Sequence, residues 1–258
     1  MEKGGANHVE HWAHPEKNRA APDAGAGSLP NPPPPILHSQ WHVWIRFGKW
    51  DEIISAEVPA DPELMLTCTA TAWYAKALAH AAKGELDAAV AAREHFQGAS
   101  AKVPETRVLK SVLTRASLAV AAKMCDGEIA YRQGDFDAAF AALREAVALE
   151  DGLPYDEPAG WMVPVRHALG ALLTEQGGAH LAEAEAVYRA DLERHPDNAW
   201  SLFGLAGCLR RAGADETSVA PIAASGKAAA ARADVPFGKA SCFCALGLLA
   251  EGAEGGGP

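Results

Sequence analysis

Apolar and polar residues along this chain follow the spacing of amphipathic helices, and short glycine-centred turns divide the pattern into successive pairs of helices. Such a period places the apolar side chains of a helix on one face, which must be buried against another helix. A glycine at the turn lets the chain leave the first helix of a pair with a positive φ angle. The predicted turns are centred on Gly48, Gly84, Gly134, Gly177 and Gly213. The pattern therefore predicts an all-α protein made of consecutive helical hairpins.

Small residues recur where the two helices of a hairpin must approach each other closely. Gly127 and Gly170 hold such positions in first helices, and Ala139 and Ala184 hold them in second helices. Large residues are then expected to fill the space between successive hairpins. Pro196 cannot continue a helix, so the second helix of the fourth pair is predicted to end before it. An alanine-rich four-helix bundle is the alternative, although a bundle gives no reason for glycine turns to recur.

The order of large and small residues within a hairpin is the most specific pattern in the chain. Leu202, Ala206, Leu209 and Gly213 follow the order large, small, large and turn glycine. This order resembles that of the tetratricopeptide repeat superfamily, whose unit is about 34 residues long. The resemblance extends over roughly residues 36–235. It implies an α-α superhelix, a solenoid of antiparallel helix pairs with a concave face that binds peptides or partner helices.

The two ends of the chain differ from the repetitive middle. Residues 1–35 contain seven prolines and few aliphatic side chains, a composition that predicts a disordered tail. Its run of four prolines is interpreted either as an exposed spacer or as a polyproline ligand. Residues 36–249 are predicted to form the helical repeat domain, and the glycine-rich residues 250–258 are predicted to be a flexible tail.

Two insertions interrupt the repeats. Residues 98–115 are predicted to begin as a loop and to continue as an extended helix. Residues 151–166 combine aromatic, acidic and proline residues and are predicted to form a loop at the mouth of the groove, because they precede the first helix of a repeat.

The loop offers five candidates for contact with a partner: Tyr155, Asp156, Glu157, Trp161 and Arg166. The alternative is structural: Trp161 and Tyr155 would then hold the loop against the helices, and Arg166 would form an ion pair with Glu157. The sequence leaves both interpretations open.

Charge and composition narrow the class of partner. A formal net charge of -10 without a cluster of Lys and Arg argues against nucleic acid. The five cysteines are scattered and odd in number, which favours a reducing compartment, and the cytoplasm is the default. The sequence contains no apolar stretch long enough to cross a bilayer. We therefore expect a protein or a peptide as the partner, with the oligomeric state left open.

Catalytic and metal-binding patterns are weak. His8, His11 and His14 lie in the predicted tail, and His38 and His42 are one helical turn apart, but zinc sites need three or four ligands held on a scaffold. The sequence contains no phosphate-binding glycine loop, nucleophile elbow or zinc-binding helix motif. We predict no metal, no cofactor and no catalytic residues.

The sequence thus predicts a non-enzymatic adaptor that binds an apolar peptide or helix in the concave groove of the superhelix. Aromatic anchors supply much of the energy of protein interfaces. The alternative for Trp200 and Phe203 is packing between repeats. The predicted groove residues are Tyr74, Met124, Tyr131, His167, Trp200 and Phe203.

Two other functions remain open at this point. The chain could be the C-terminal structural repeat module of a longer protein whose activity lies in preceding sequence. It could also be a helical-repeat enzyme that uses Arg166 or His167.

Overall fold

The computed structural model of the protein describes residues 36–59, 61–109 and 111–233. This part of the chain is mostly helical, and consecutive helices pack against each other in pairs. The all-α prediction is confirmed. The predicted tails, 1–35 and 250–258, and the end of the predicted repeat domain, 234–249, lie outside the described residues.

Ten α-helices and one two-stranded antiparallel sheet occur in the described ranges. A short 3-10 turn, Gly178–His180, precedes the eighth helix. The elements in chain order are α1 (Ile36–Arg46), α2 (Trp50–Ser55), α3 (Leu66–Ala82), α4 (Leu86–Lys102), β1 (Val108–Leu109), β2 (Val112–Leu113), α5 (Thr114–Gln133), α6 (Phe136–Asp151), α7 (Val165–Gln176), α8 (Leu181–Arg194), α9 (Ala199–Arg211) and α10 (Glu216–Ala230).

The glycine turns join the helices of each pair as predicted. Gly134 follows α5 with a φ of 84°, a left-handed conformation that glycine adopts without the steric cost of a Cβ atom. The other four predicted turn glycines also have positive φ angles: Gly48, Gly84, Gly177 and Gly213. The prediction of their conformation is confirmed.

The close approaches predicted from small residues are also present. A Cβ atom on Gly127 in α5 would lie 2.7 Å from Leu143 Cγ in α6. A Cβ atom on Gly170 in α7 would lie 2.8 Å from Tyr188 Cζ in α8. Each glycine therefore leaves room for a large side chain of the second helix of its pair.

The boundary between α8 and α9 is fixed by local chemistry. α8 ends at Arg194, two residues before Pro196, as predicted. The side chain of Asn198 then accepts hydrogen bonds from the backbone amides of Trp200 and Ser201, at 3.0 and 3.3 Å, and caps the start of α9.

The first insertion differs from the prediction. α4 extends through Lys102, and the strands β1 and β2 pair antiparallel with Val108 opposite Leu113 before α5 begins at Thr114. β-branched residues such as Val112 favour a strand. Val112 is buried and packs closely against Gly160 of the second insertion. A Cβ atom on Gly160 would lie only 2.6 Å from Val112 Cγ2.

The second insertion is a loop, as predicted, between the end of α6 and the start of α7. We refer to residues 152–164 as the cover loop. Two serines bind its backbone: Ser111 Oγ donates to the carbonyl of Tyr155 and Ser117 Oγ donates to the carbonyl of Gly160, each at 3.1 Å. The hairpin and α5 thus hold both halves of the cover loop.

Candidate functional site

A cavity of about 710 Å³ lies between α1, the cover loop and the C-terminal end of α8. It is lined by residues from three separate parts of the sequence, 42–47, 150–166 and 191–198, which the packing of the helices brings together. Its wall includes both buried polar groups and exposed apolar groups. Among the lining residues are His42, Arg46, Glu150, Trp161, Asp191 and Arg194.

Trp161 anchors the cover loop. Its side chain is only 4% exposed, and its indole Nε1–H donates to the sulfur of Met124 at 3.2 Å. The ring also makes edge contacts with Tyr74 and His42, with centroid distances of 5.5 and 4.8 Å. Trp161 therefore fills the space in front of α3 and α5 and covers the residues beneath it.

A buried chain of hydrogen bonds connects α1 to α7, α8 and α9. Arg46 Nη1 donates to His167 Nδ1 at 2.9 Å. Because that nitrogen accepts, the proton of a neutral His167 is on Nε2, which lies 3.0 Å from Asp191 Oδ2. Ser201 Oγ donates to the same Asp191 oxygen at 2.5 Å. The guanidinium carbon of Arg46 also lies 4.1 Å from the ring centroid of Trp200, a cation–π contact.

Burial and hydrogen bonding determine which residues of this hydrogen-bonded network are charged at neutral pH. Burial lowers the pKa of His167 despite its hydrogen bond to Asp191, so the imidazole is neutral. Burial opposes ionisation of Asp191, but the hydrogen bonds from His167 and Ser201 outweigh it and hold the pKa of Asp191 below its ordinary value. Burial lowers the pKa of Arg46 to about 10, which still leaves it charged at neutral pH.

A second polar group lies at the junction of α6, α7 and α8. Arg166 donates two hydrogen bonds to Asp151, at 2.7 and 2.6 Å, and Arg194 lies 3.0 Å from the same carboxylate. Glu150 Oε2 accepts a hydrogen bond from the amide of Val165 at 3.1 Å and so caps α7. Burial raises the pKa of Glu150 to about 7, which makes this carboxyl group half protonated near neutral pH.

Five of the nine predicted contact residues are buried in the protein. Tyr74 and Met124 lie under Trp161, and Tyr131 accepts a hydrogen bond from Gln176 of α7 at 2.8 Å. The expectation that these groove residues are exposed is corrected. Trp161 of the cover loop covers Tyr74 and Met124, Arg46 of α1 contacts His167, and Tyr131 packs against α6. The buried residues are Tyr74, Met124, Tyr131, Trp161 and His167. A role for them in partner binding stays a prediction.

Trp200 and Phe203 are half-buried. Trp200 lies against Arg46, and Phe203 packs against α10, where a Cβ on Gly226 would lie 3.2 Å from Phe203 Cε1. Both positions agree with the alternative interpretation, in which these rings pack between helices.

The loop candidates separate into two groups. Trp161 holds the loop in place, whereas Tyr155 is 82% exposed and its hydroxyl donates to Glu157. The structural interpretation paired Arg166 with Glu157, but Arg166 instead forms its ion pair with Asp151. That interpretation is therefore right for Trp161 and wrong for Tyr155 and for the partner of Arg166.

The sequence analysis missed Arg46, Asp191 and Ser201. One signal was present: Ala184, Tyr188 and Asp191 follow the helical spacing of buried positions in α8, and a carboxylate at such a position requires a buried partner. The identity of that partner could not be read from the sequence, because His167 and Arg46 come from distant elements.

No group of three or more potential ligands is positioned to hold a metal ion in the described ranges. None of the described helices has the length and apolar character needed to cross a membrane. The cysteines in this part of the chain, Cys68, Cys125 and Cys208, are free thiols.

Comparison with protein-family models, with curated proteins and with solved structures finds no match for this chain.

Proposed function

We propose that this protein is a non-enzymatic scaffold that binds a peptide or a helix of a partner protein at the cavity between α1 and the cover loop. In this proposal the helix pairs form a tetratricopeptide-like superhelix, and the protein acts in the cytoplasm. The cavity takes the place of the open concave groove that the sequence pattern predicts.

The exposure of apolar side chains around the cavity carries the proposal. Tyr155 is 82% exposed, and Val43, Phe47 and Met162 are 47%, 41% and 37% exposed. All four line the cavity: Val43 lies in α1, Phe47 directly follows it, and the other two belong to the cover loop. An apolar patch with a polar rim is typical of a protein interaction site. Apolar side chains of a partner would bury these four residues on binding.

The hydrogen-bond pattern supports binding over catalysis. A serine, a histidine and an aspartate lie together, but Ser201 and His167 both donate to the same Asp191 oxygen. In a catalytic triad the histidine instead accepts the proton of the nucleophile. His167 already accepts from Arg46 through its other nitrogen. The three residues therefore have the arrangement of a structural network.

Selection from a random phage-displayed peptide library on the immobilised protein tests the proposal. The double variant Phe47→Ser, Tyr155→Ser removes two exposed apolar groups at the cavity mouth. The matched control is Leu64→Ser, Leu149→Ser, since both leucines are exposed and neither lines the cavity.

We expect peptides that bind the wild type and the control variant and that bind the double variant at least about tenfold more weakly. Peptides that bind all three proteins equally, or failure to select any peptide, would contradict binding at this cavity. Circular dichroism of each variant confirms that the helices are retained.

A further inference from the structure

Two buried polar atoms on the wall of the cavity have no hydrogen-bond partner among the described residues. They are Asp191 Oδ1 and His42 Nδ1. Both residues line the cavity, and their exposures are 1% and 2%. A buried polar atom without a partner costs about 1–3 kcal/mol, so such atoms commonly accommodate a ligand.

Both residues are suited to accept hydrogen bonds. Asp191 is ionised, and its other oxygen already accepts from His167 and Ser201, so Oδ1 has an accepting lone pair left. Burial lowers the pKa of His42 to about 3, so the imidazole is neutral and one ring nitrogen is an acceptor. The ligand group that satisfies the Asp191 carboxylate is a hydrogen-bond donor.

The charges of the site favour a positively charged donor. The site contains three arginines and five carboxyl groups, so its net charge is negative even when Glu150 is protonated. The arginines are Arg46, Arg166 and Arg194, and the carboxyl groups belong to Glu150, Asp151, Asp156, Glu157 and Asp191.

The arginines of the site are engaged with other groups. Arg166 and Arg194 both bind Asp151, which does not itself line the cavity. Arg46 donates to His167 and stacks on Trp200. Asp191 Oδ1 therefore keeps its capacity for a cation that enters from the cavity.

We propose that the cavity binds a basic side chain of the partner, an arginine or a lysine, whose charged group donates to Asp191 Oδ1 and is flanked by the carboxylates of Asp156 and Glu157. This deepens the proposed function and rests on it. Apolar groups such as Met162 also line the cavity, and the aliphatic stem of such a side chain can pack against them. The net charge of -10 favours encounter with a basic partner.

A pair of small probes tests the subsite without a peptide. N-acetyl-arginine methylamide carries the guanidinium group, and N-acetyl-citrulline methylamide has nearly the same shape without the charge. Each is titrated into the 15N-labelled protein, and binding is followed by amide chemical shifts. We expect the arginine probe to bind at least about tenfold more tightly, with shifts centred on residues of the cavity.

Two variants connect binding to the named groups. Asp156→Asn with Glu157→Gln neutralises the rim and is expected to weaken arginine binding about threefold. Asp191→Asn keeps the shape of the side chain and is expected to remove most of the difference between the two probes. The rim variant keeps the test decisive if Asp191→Asn fails to fold.

The outcomes separate the subsite from the proposed function. Equal affinity for both probes, shifts outside the cavity, or the absence of shifts up to the solubility limit would overturn the basic subsite. The variant Phe47→Ser, Tyr155→Ser is expected to lose the selected peptides and to retain the arginine probe. Selected peptides that bind at the cavity but lack basic residues would overturn the subsite and leave the peptide-binding function standing.

Discussion

The pairs α5–α6 and α7–α8 and the cavity beside them are stabilised in different ways. In the pairs, a glycine of the first helix admits a large side chain of the second, Leu143 at Gly127 and Tyr188 at Gly170. Around the cavity, buried charged and polar groups from α1, α7, α8 and α9 bind each other. The same type of apolar contact between consecutive helices recurs in both helix pairs. The polar contacts around the cavity instead join residues that are distant in sequence, and they do not repeat from pair to pair.

This difference separates what stabilises the fold from what shapes a site. Apolar packing stabilises a helix pair directly. Buried charged groups add little net stability, because the loss of hydration offsets most of the attraction between them and their partners. Arg46 and Asp191 are therefore better explained by what they position, the wall of the cavity, than by what they add to stability.

Trp161 is the largest buried apolar side chain of the cover loop, so its loss should have the largest effect on the cavity region. Trp161→Ala removes a buried ring that contacts Tyr74, Met124 and His42. We expect the free energy of unfolding to fall by about 3–5 kcal/mol, from lost burial and the cavity left behind. Denaturation by urea with circular dichroism measures this change.

Tyr155→Ala is the matched control in the same loop. Because Tyr155 is exposed, we expect a change within about 0.5 kcal/mol. Similar effects of the two substitutions would show that the cover loop is not held by Trp161.

Gly170 tests the helix pairs. Gly170→Val places branched carbons where a Cβ alone would already lie 2.8 Å from Tyr188 Cζ. We expect overpacking to reduce the free energy of unfolding by about 2 kcal/mol, which thermal or urea denaturation will detect.

The control is a helical glycine without a close neighbour. No side chain or backbone atom lies within 4 Å of a Cβ on Gly207 in α9, so Gly207→Ala should stabilise the protein by about 0.5 kcal/mol. If both substitutions destabilise the protein equally, the close approach at Gly170 is not what makes glycine necessary there.

The fold was predictable to the extent that it depends on local sequence. The turn glycine Gly134 and the close approach at Gly170 could be read directly, because a positive φ and a missing side chain are properties of the residue itself. The β1–β2 hairpin was missed, since two residue pairs give too short an alternation to detect.

The cavity was less predictable because its partners are distant in sequence. Arg46 and His167 are 121 residues apart, and no local pattern connects them. The cover loop was expected at the mouth of a groove. That Trp161 fills the space in front of Tyr74 and Met124 depends on how α1 and the loop pack, which no local sequence pattern indicates. Tyr74 and Met124 were therefore expected to be open and are covered.

Glu150 differs from the helix pairs because its contribution to stability depends on pH. Burial raises the pKa of its carboxyl group from an ordinary 4.5 to about 7, against the opposing effects of the Val165 amide and the charge of Arg166. Between these two pKa values the folded protein holds a proton that the unfolded chain releases. Its stabilising contribution is therefore complete below about pH 4.5 and is lost as the pH rises through 7.

Glu150→Gln keeps an oxygen that can accept from Val165 and cannot ionise. The difference in the free energy of unfolding between the variant and the wild type isolates this carboxyl group, because the other titrating groups are common to both proteins. We expect that difference to move by about 2–3 kcal/mol in favour of the variant between pH 5 and pH 8, because the pKa of Glu150 is raised from 4.5 to about 7. A constant difference over this range would mean that Glu150 is hydrated in the folded protein, and the cavity would then be as open to water at its base as at its mouth. A change in this difference confined to the range would instead confirm that a buried carboxyl group that titrates near neutral pH closes the cavity on the side of α7. The apolar contacts within the helix pairs have no such dependence on pH.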